Sequence, residues 1–252
     1  MQQDSVQRFS YRAESYDKFR PNYPVALIEF LHSSVPIQPD HVIADIAAGT
    51  GIFTEQIAKW GNRVYVVEPN PYMREMALKR LAIFEHCTFL DGTAESTGLP
   101  DHSVDVIVSA QAFHWFDLVK TKAEFKRVGR NSLQVAVVWN LRNTESPFEV
   151  EYEAFIRAYA VDYLNVSQRK MNTADVLSFF APEIPEYRVF GHVDFLTREQ
   201  LHGRTRSYSF MPDETSPIMP EISASLTALF HAHQQDGMVR LSYKTRLFVG
   251  KI

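Results

Sequence analysis

Residues 41–58 read HVIADIAAGTGIFTEQIA, and the fold turns on them. The apolar run HVIADI has the look of a buried strand and ends near an acid, Asp45. A loop of small residues follows, Ala47-Ala48-Gly49-Thr50-Gly51, and then a stretch with helical periodicity that stops at Gly61. Strand, glycine turn and helix in that order make a nucleotide-binding unit when the alternation continues.

It does continue. RVYVVEPN reads as a second strand, PYMREMALKRL as a helix opened by Pro71, and CTFLDG as a short third strand. SVDVIVSAQ is a fourth strand, FDLVKTKAEFKRVG a helix ended by Gly129, and SLQVAVVWN a fifth strand. Runs such as VDVIV and VAVV are nearly continuous and β-branched, as in strands buried on both faces. The pattern predicts a doubly wound parallel sheet.

After Asn140 the rhythm changes. SPFEVEYEAFIRAYAVDYL and NTADVLSFF read as helices, YRVFGHVDFLT as a strand, and REQLHGRTRSYS and PEISASLTALFHAHQQDG as helices. MVRLSYKTRLFVGKI reads as a final strand interrupted by polar residues at Ser242 to Thr245. The expected organisation is an N-terminal cap segment over 1–36, a cofactor-binding core over 37–141, a helical substrate-cap insert over 142–185, and strands and helices over 186–252 that complete core and cap.

Composition narrows the class. The chain has 252 residues, 45% of them apolar and 22% charged, which suits a globular α/β protein rather than a disordered one. A net charge of -4 gives no support for a phosphate-tracking face, so nucleic acid is not an expected partner. The single cysteine, Cys87, excludes an internal disulfide and a cysteine-based zinc site. His231 and His233 lie two apart on a helix and face different sides, so no metal is expected. MQQDSVQRFS lacks an apolar signal core, and no run approaches the ~18 apolar residues of a membrane span, which leads to the expectation of a cytoplasmic protein without membrane contact.

The loop chemistry selects the ligand. A dinucleotide fingerprint needs G-x-G-x-x-G, and from Gly49 the last position falls on Thr54. Asp45 sits at the strand end where the ligand lies. A carboxylate there repels a pyrophosphate and attracts an ammonium. S-adenosylmethionine carries an ammonium, a sulfonium and a ribose, and no phosphate. Glu68 ends the second strand about 20 residues on, the spacing of an acid that accepts from ribose hydroxyls, which by itself fits NAD as well as S-adenosylmethionine. Asp91 to Glu95, including Thr93 and Ala94, close the third strand within reach of an adenine amine.

ADIAAGTG, VYVVEPN, DGTAESTGLPDHSVDVIVSAQAFHWFD and RAESYDKFRPNYP together resemble class I S-adenosylmethionine-dependent methyltransferases, and among them small-molecule enzymes of the trans-aconitate methyltransferase type. LHGRTRSYSFMP and VRLSYKTRLFVGKI resemble the same group. The resemblance implies a Rossmann-like doubly wound seven-stranded sheet, mostly parallel with an antiparallel last strand, plus a helical cap. It implies cofactor contacts at Tyr16, Asp45, Ala47, Gly49, Thr50, Gly51, Glu68, Pro69, Met73, Thr93, Ala94, Glu95 and Gln111. One position departs from the family's acid-x-Gly-x-Gly-x-Gly loop: Ala47 stands at the first glycine, which is tolerable if its φ is negative.

The acceptor side is less marked. His114, inside AFHWF, either packs structurally or faces the substrate, where it could orient it or take a proton. Trp115 could line the pocket. Tyr11, Tyr16, Arg20 and Tyr23 lie in the preface, which in this family tends to close over the cofactor. Arg142, Arg204 and Arg206 could each pair with a substrate carboxylate or be solvated surface groups. The expected reaction is methyl transfer to a small-molecule acceptor through an oxygen, nitrogen or carbon nucleophile, a carboxylate or hydroxyl oxygen among them. The rival reading is a non-catalytic S-adenosylmethionine-binding regulator or partner protein on the same fold. An Asn/Asp-Pro-Pro-aromatic motif of amino-methylating DNA enzymes is missing after the fourth strand, which reads Ser109-Ala110-Gln111-Ala112.

Overall fold

The β-branched runs form one seven-stranded sheet in a computed structural model that describes residues 13–35, 37–161, 163 and 172–252. Two helices come first, α1 (Ala13–Phe19) and α2 (Val25–Ser34). The alternating core is β1 (Val42–Ile46), α3 (Ile52–Ala58), β2 (Arg63–Val67), α4 (Pro71–Arg80), β3 (Cys87–Leu90), β4 (Val104–Ala110), α5 (Leu118–Val128) and β5 (Gly129–Arg142). Then follow α6 (Pro147–Tyr159), α7 (Thr173–Phe180), β6 (Glu186–Leu196), α8 (Arg198–Arg206), α9 (Met219–His233) and β7 (Val239–Gly250).

The strand order is β3-β2-β1-β4-β5-β7-β6. Strands β1 to β5 pair in parallel, and β7 runs antiparallel to both β5 and β6. The expected Rossmann-like sheet with one reversed last strand is what forms. Strand order reverses between β1 and β4, so a crevice opens beyond their C-terminal ends, beside Asp45 and Ala110.

Alternate residues of the central strands feed opposite faces. Ile43, Val64, Val66, Val106 and Val108 pack under α2, α3 and α4 through Leu27, Leu31, Ile57 and Ala77. Ile46, Ile107, Val135, Val137 and Trp139 pack on the other face with Phe125 of α5 and Phe179 of α7. At roughly 25 cal/mol per Å² of apolar surface removed from water, these two layers dominate stability. A third cluster joins Phe148, Tyr152 and Ile156 of α6 to Leu201 of α8, Leu226 and Phe230 of α9, and Leu241 of β7. The stretch 142–185 therefore divides: α6 packs with α8 and α9, whereas α7 packs on the sheet face beside α5.

The expected break in the last strand does not occur. β7 is continuous because its polar residues are satisfied inside the fold: Ser242 Oγ donates to Glu149 and Thr245 Oγ1 to Asn140. Tyr11 lies outside the described residues.

Candidate active site

The loop after β1 is built on left-handed residues. Ala47, Gly49 and Gly51 have φ of 57°, 60° and 79°. The negative φ under which alanine would be unstrained at position 47 is not met. Turning from β1 into α3 in so few residues forces the left-handed region, which costs a residue with a Cβ roughly 1–2 kcal/mol. Glycine is favoured at Gly51 on two counts, since besides its φ a Cβ would sit tightly at 3.1 Å from the Leu81 side chain. A Cβ at Gly49 would meet nothing within 4 Å; its backbone faces open space. Ala47 and Gly51 thus meet the turn in different ways: Ala47 takes the left-handed φ with a methyl, whereas Gly51 takes it without a Cβ beside Leu81.

One cleft gathers Tyr16, Arg20, Pro21 and Tyr23 from the N-terminal segment with Asp45, Ala47, Gly49 and Thr50 from the loop, and with Ala110, Gln111 and Asn140 from the ends of β4 and β5. Asp45 is fully buried; its Oδ2 accepts from Thr54 Oγ1 at 2.6 Å, while its Oδ1 has no partner. Thr50 Oγ1 and Gln111 Oε1 are likewise buried without partners. Burial, opposed by the Thr54 hydrogen bond and aided by the charge of Glu68, pushes the Asp45 carboxyl up to about 7. An unpaired buried carboxylate oxygen is costly. A bound cation removes that cost, and a phosphate would add to it.

Glu68 does not line this cleft. Its carboxylate holds the loop in place, accepting from Gly49 N–H at 2.9 Å and Asn70 N–H at 2.8 Å. Burial pushes it up to about 7 as well, against those two bonds. Gly51, packed on α4, shapes the turn from outside the cleft. Pro69 and Met73 follow Glu68 into α4; Met73 is buried with its N–H on the Asn70 cap. Thr93 bridges to Ser96, Ala94 is buried in the core, and Glu95 accepts from Asp117 N–H at 3.0 Å. These residues border the β2 and β3 strand ends, outside the Asp45 cleft.

His114 sits in a single 3-10 turn, Phe113–Trp115, its ring 4.7 Å from Trp115 and 5.6 Å from Trp139. Burial pushes it down to about 4, so it is neutral at pH 7 and a weak proton acceptor. Its Nδ1 is buried without a partner. Trp115 packs between two core clusters.

The arginines sort themselves. Arg20 lies over Tyr16 at 4.6 Å and over Tyr208 at 4.8 Å, and donates to Ser207 O at 3.1 Å. Arg142 lies over the same Tyr208 ring at 4.8 Å and pairs with Glu153 at 3.0 Å. Arg204, not Arg206, joins them: it pairs with Asp194 at 2.9 Å and donates to Tyr243 Oη and Phe19 O. Burial pushes the Tyr208 phenol up, but the charges of Arg142, Arg204 and Arg20 outweigh it and hold it below the usual phenol range. Arg206 is exposed, 3.9 Å from Glu214, and lines a separate cleft of ≈ 480 Å³ between α8 and α9 that shares no residue with the first. Size does not decide between the clefts; the unpartnered polar atoms do. Tyr208 and Asn140 escaped the sequence reading. Asn140 at least stands where the apolar run VAVVW stops, whereas nothing local marks Tyr208.

Residues 44–133 match the family model described as a methyltransferase domain. The chain carries a class I S-adenosylmethionine-dependent methyltransferase domain. An uncharacterized methyltransferase-like protein of Schizosaccharomyces pombe is 26% identical over 98% of this chain and 96% of its own length. An uncharacterized methyltransferase of Mycobacterium tuberculosis is 36% identical over 54% of this chain, which spans only 53% of that relative. The fold is shared with a solved structure described as a type II methyltransferase from Anaeromyxobacter dehalogenans, at a TM-score of 0.60 and 24% identity over 92% of this chain and 98% of that one. The residues of this methyltransferase fit the cofactor: an unpartnered acid, a bare glycine backbone and free acceptors suit an ammonium and a ribose.

Proposed function

We propose that this methyltransferase acts on a small acidic acceptor, with a carboxylate oxygen as the methyl-accepting nucleophile. The observation that carries the reading is Arg20, which lines the Asp45 cleft and shares the Tyr208 ring with Arg142. Three buried or half-buried guanidinium groups, Arg20, Arg142 and Arg204, have two close carboxylates, Glu153 and Asp194. Among the described residues Arg20 forms no carboxylate pair; its bond is to a backbone carbonyl. The excess positive charge suits an anionic substrate.

S-adenosylmethionine supplies the electrophilic methyl group when bound. Asp45 is the candidate to hold the ammonium through its open Oδ1, and Glu68 to fix the loop that carries Gly49. Arg20 and Arg142 orient the acceptor, and Tyr16, Arg20 and Tyr23 exclude water by closing on the cleft. Only ≈ 40 Å³ is open there, far below the roughly 300 Å³ of the smallest ligand pockets, so these side chains swing aside to admit ligands. The segment 1–36 and, of the stretch 142–185, the α6 part are proposed as the cap, since α7 packs on the sheet face beside α5. His114, held down near 4, is a poor general base, which favours an acceptor that arrives deprotonated over a hydroxyl. Resemblance to enzymes of the trans-aconitate type points the same way.

A radiolabelled methyl-transfer screen of small di- and tricarboxylates against phenols and amines tests this. Base-labile label on carboxylates is the expected result. Label on phenols or amines alone overturns the acceptor class, and tight cofactor binding with no transfer to any compound favours the regulator.

A further inference from the structure

The edge strand β6 is apolar on the wrong side. Residues 186–196 alternate, with Phe190, His192, Asp194 and Leu196 turned toward the fold. The other face carries Tyr187, Val189, Gly191, Val193 and Phe195, with 45%, 48%, 39% and 60% exposure for the four side chains. β6 ends the strand order, so its outer backbone groups pair with no strand among the described residues. Long apolar edges of this kind recruit another strand unless they are blunted. Here no proline interrupts the edge, and the exposed face holds no charge.

The sequence of the edge says which strand. YRVFGHVDF, residues 187–195, reads as a pseudo-palindrome about Gly191: aromatic, charge, Val, ring, Gly, ring, Val, charge, aromatic. The two charges are opposite in sign, Arg188 and Asp194. We propose that β6 pairs antiparallel with β6 of a second copy of this chain about a two-fold axis at Gly191. That register sets Tyr187 against Phe195 of the other copy and Val189 against Val193 on one face, and Arg188 against Asp194 on the other. Each contact occurs twice, as an isologous interface requires. Arg188 turns to Glu186 at 2.6 Å, and the Asp194 side chain keeps 20% exposure beside Arg204, so both charges border the edge. Arg240 and Lys244 of β7 flank the apolar face and stay at the rim, pairing opposite Phe195 and Gly191 within the chain. The dimer joins two seven-stranded sheets into one and is independent of the acceptor reading.

Light scattering across a concentration series tests it, with anionic vesicles in a parallel sedimentation assay. The wild-type chain should reach twice its 29.0 kDa mass. Val189→Lys with Val193→Lys sets lysine against lysine and should give monomer at all concentrations. Val189→Lys with Val193→Glu sets lysine against glutamate in this register and should restore the dimer. Gly191→Cys, where a Cβ meets nothing within 4 Å, should cross-link to itself on oxidation. A monomeric wild-type chain, or one that instead binds the vesicles through this face, overturns the proposal. So does a dimer that the double lysine variant leaves intact, or one that the lysine–glutamate variant does not restore.

Discussion

The floor of the cleft is acidic and its rim is cationic. On the floor, Asp45 is buried, with Glu68 buried behind the loop and its charge helping to raise Asp45; burial pushes both up to about 7. On the rim, Arg20 lies over Tyr208; Arg142, behind it and outside the cleft lining, lies over the same ring, and of the two only Arg142 has a close carboxylate among the described residues. The two regions are incomplete in opposite senses. The floor offers an unpartnered acid and the rim an unpaired guanidinium, which suit a cationic cofactor and the anionic acceptor proposed above. This contrast also explains why the groups are buried at all: each cost of desolvation is offset when the ligands arrive.

The rim breaks most severely. Arg142→Ala takes the buried Glu153 carboxylate's close guanidinium away, so it should destabilise the chain by about 3–5 kcal/mol in urea unfolding. Arg20→Gln, which has no carboxylate to orphan, separates binding from folding. It should cost far less stability than Arg142→Ala, only the stacking on Tyr16 and Tyr208 and the Ser207 bond, while weakening acceptor binding by roughly tenfold to a hundredfold in steady-state kinetics, the range of one charge-assisted hydrogen bond.

The floor responds to pH. Asp45 and Glu68 keep protons in the folded chain that the unfolded chain has already released. Between about pH 4 and pH 7 their contribution to stability therefore falls as pH rises, and above pH 7 it has reached its least favourable value. Cofactor binding has the opposite slope. Below pH 7 the ammonium competes with a proton on Asp45, and affinity measured by calorimetry should fall by up to about tenfold per pH unit. A flat profile from pH 5 to pH 8 counts against an ionised Asp45 in the complex.

The loop itself gives the smallest effect. Ala47→Gly places a residue without a Cβ at φ 57° and should raise stability by about 1 kcal/mol in chemical denaturation, less any entropy lost to a freer unfolded chain. No gain would mean that the Ala47 turn is unstrained.

Legibility divides along the same line as charge. The floor is one stretch of text: strand, acid, small loop and helix follow each other over residues 41–58, and local rules suffice to read them. What those rules missed is the sign of φ at Ala47, which depends on how tightly the chain turns into α3. Glu68 was legible as a strand-end acid, but its hold on Gly49 is a contact between two strand ends and has no local signature. The cationic cluster behind the rim is assembled from positions 20, 142, 204 and 208, drawn from three segments that only tertiary packing unites. Arg204 and Arg206 illustrate this: two residues apart on α8, one is buried against Phe19 and Asp194 and the other exposed. Helical spacing says they face different ways, without saying which way is inward. Ser242 and Thr245 misled for a similar reason, since their polar groups find partners on α6 and β5.

The measurement closest to the central claim is calorimetric binding of S-adenosylmethionine to Asp45→Asn at pH 8, with circular dichroism to confirm the native fold. Asparagine still accepts from Thr54 but carries no charge. The account predicts native spectra and a loss of affinity of roughly a hundredfold, the upper range for one charge-assisted contact. Wild-type affinity in a natively folded variant would contradict it, because the open Oδ1 of Asp45 would then serve no bound cation.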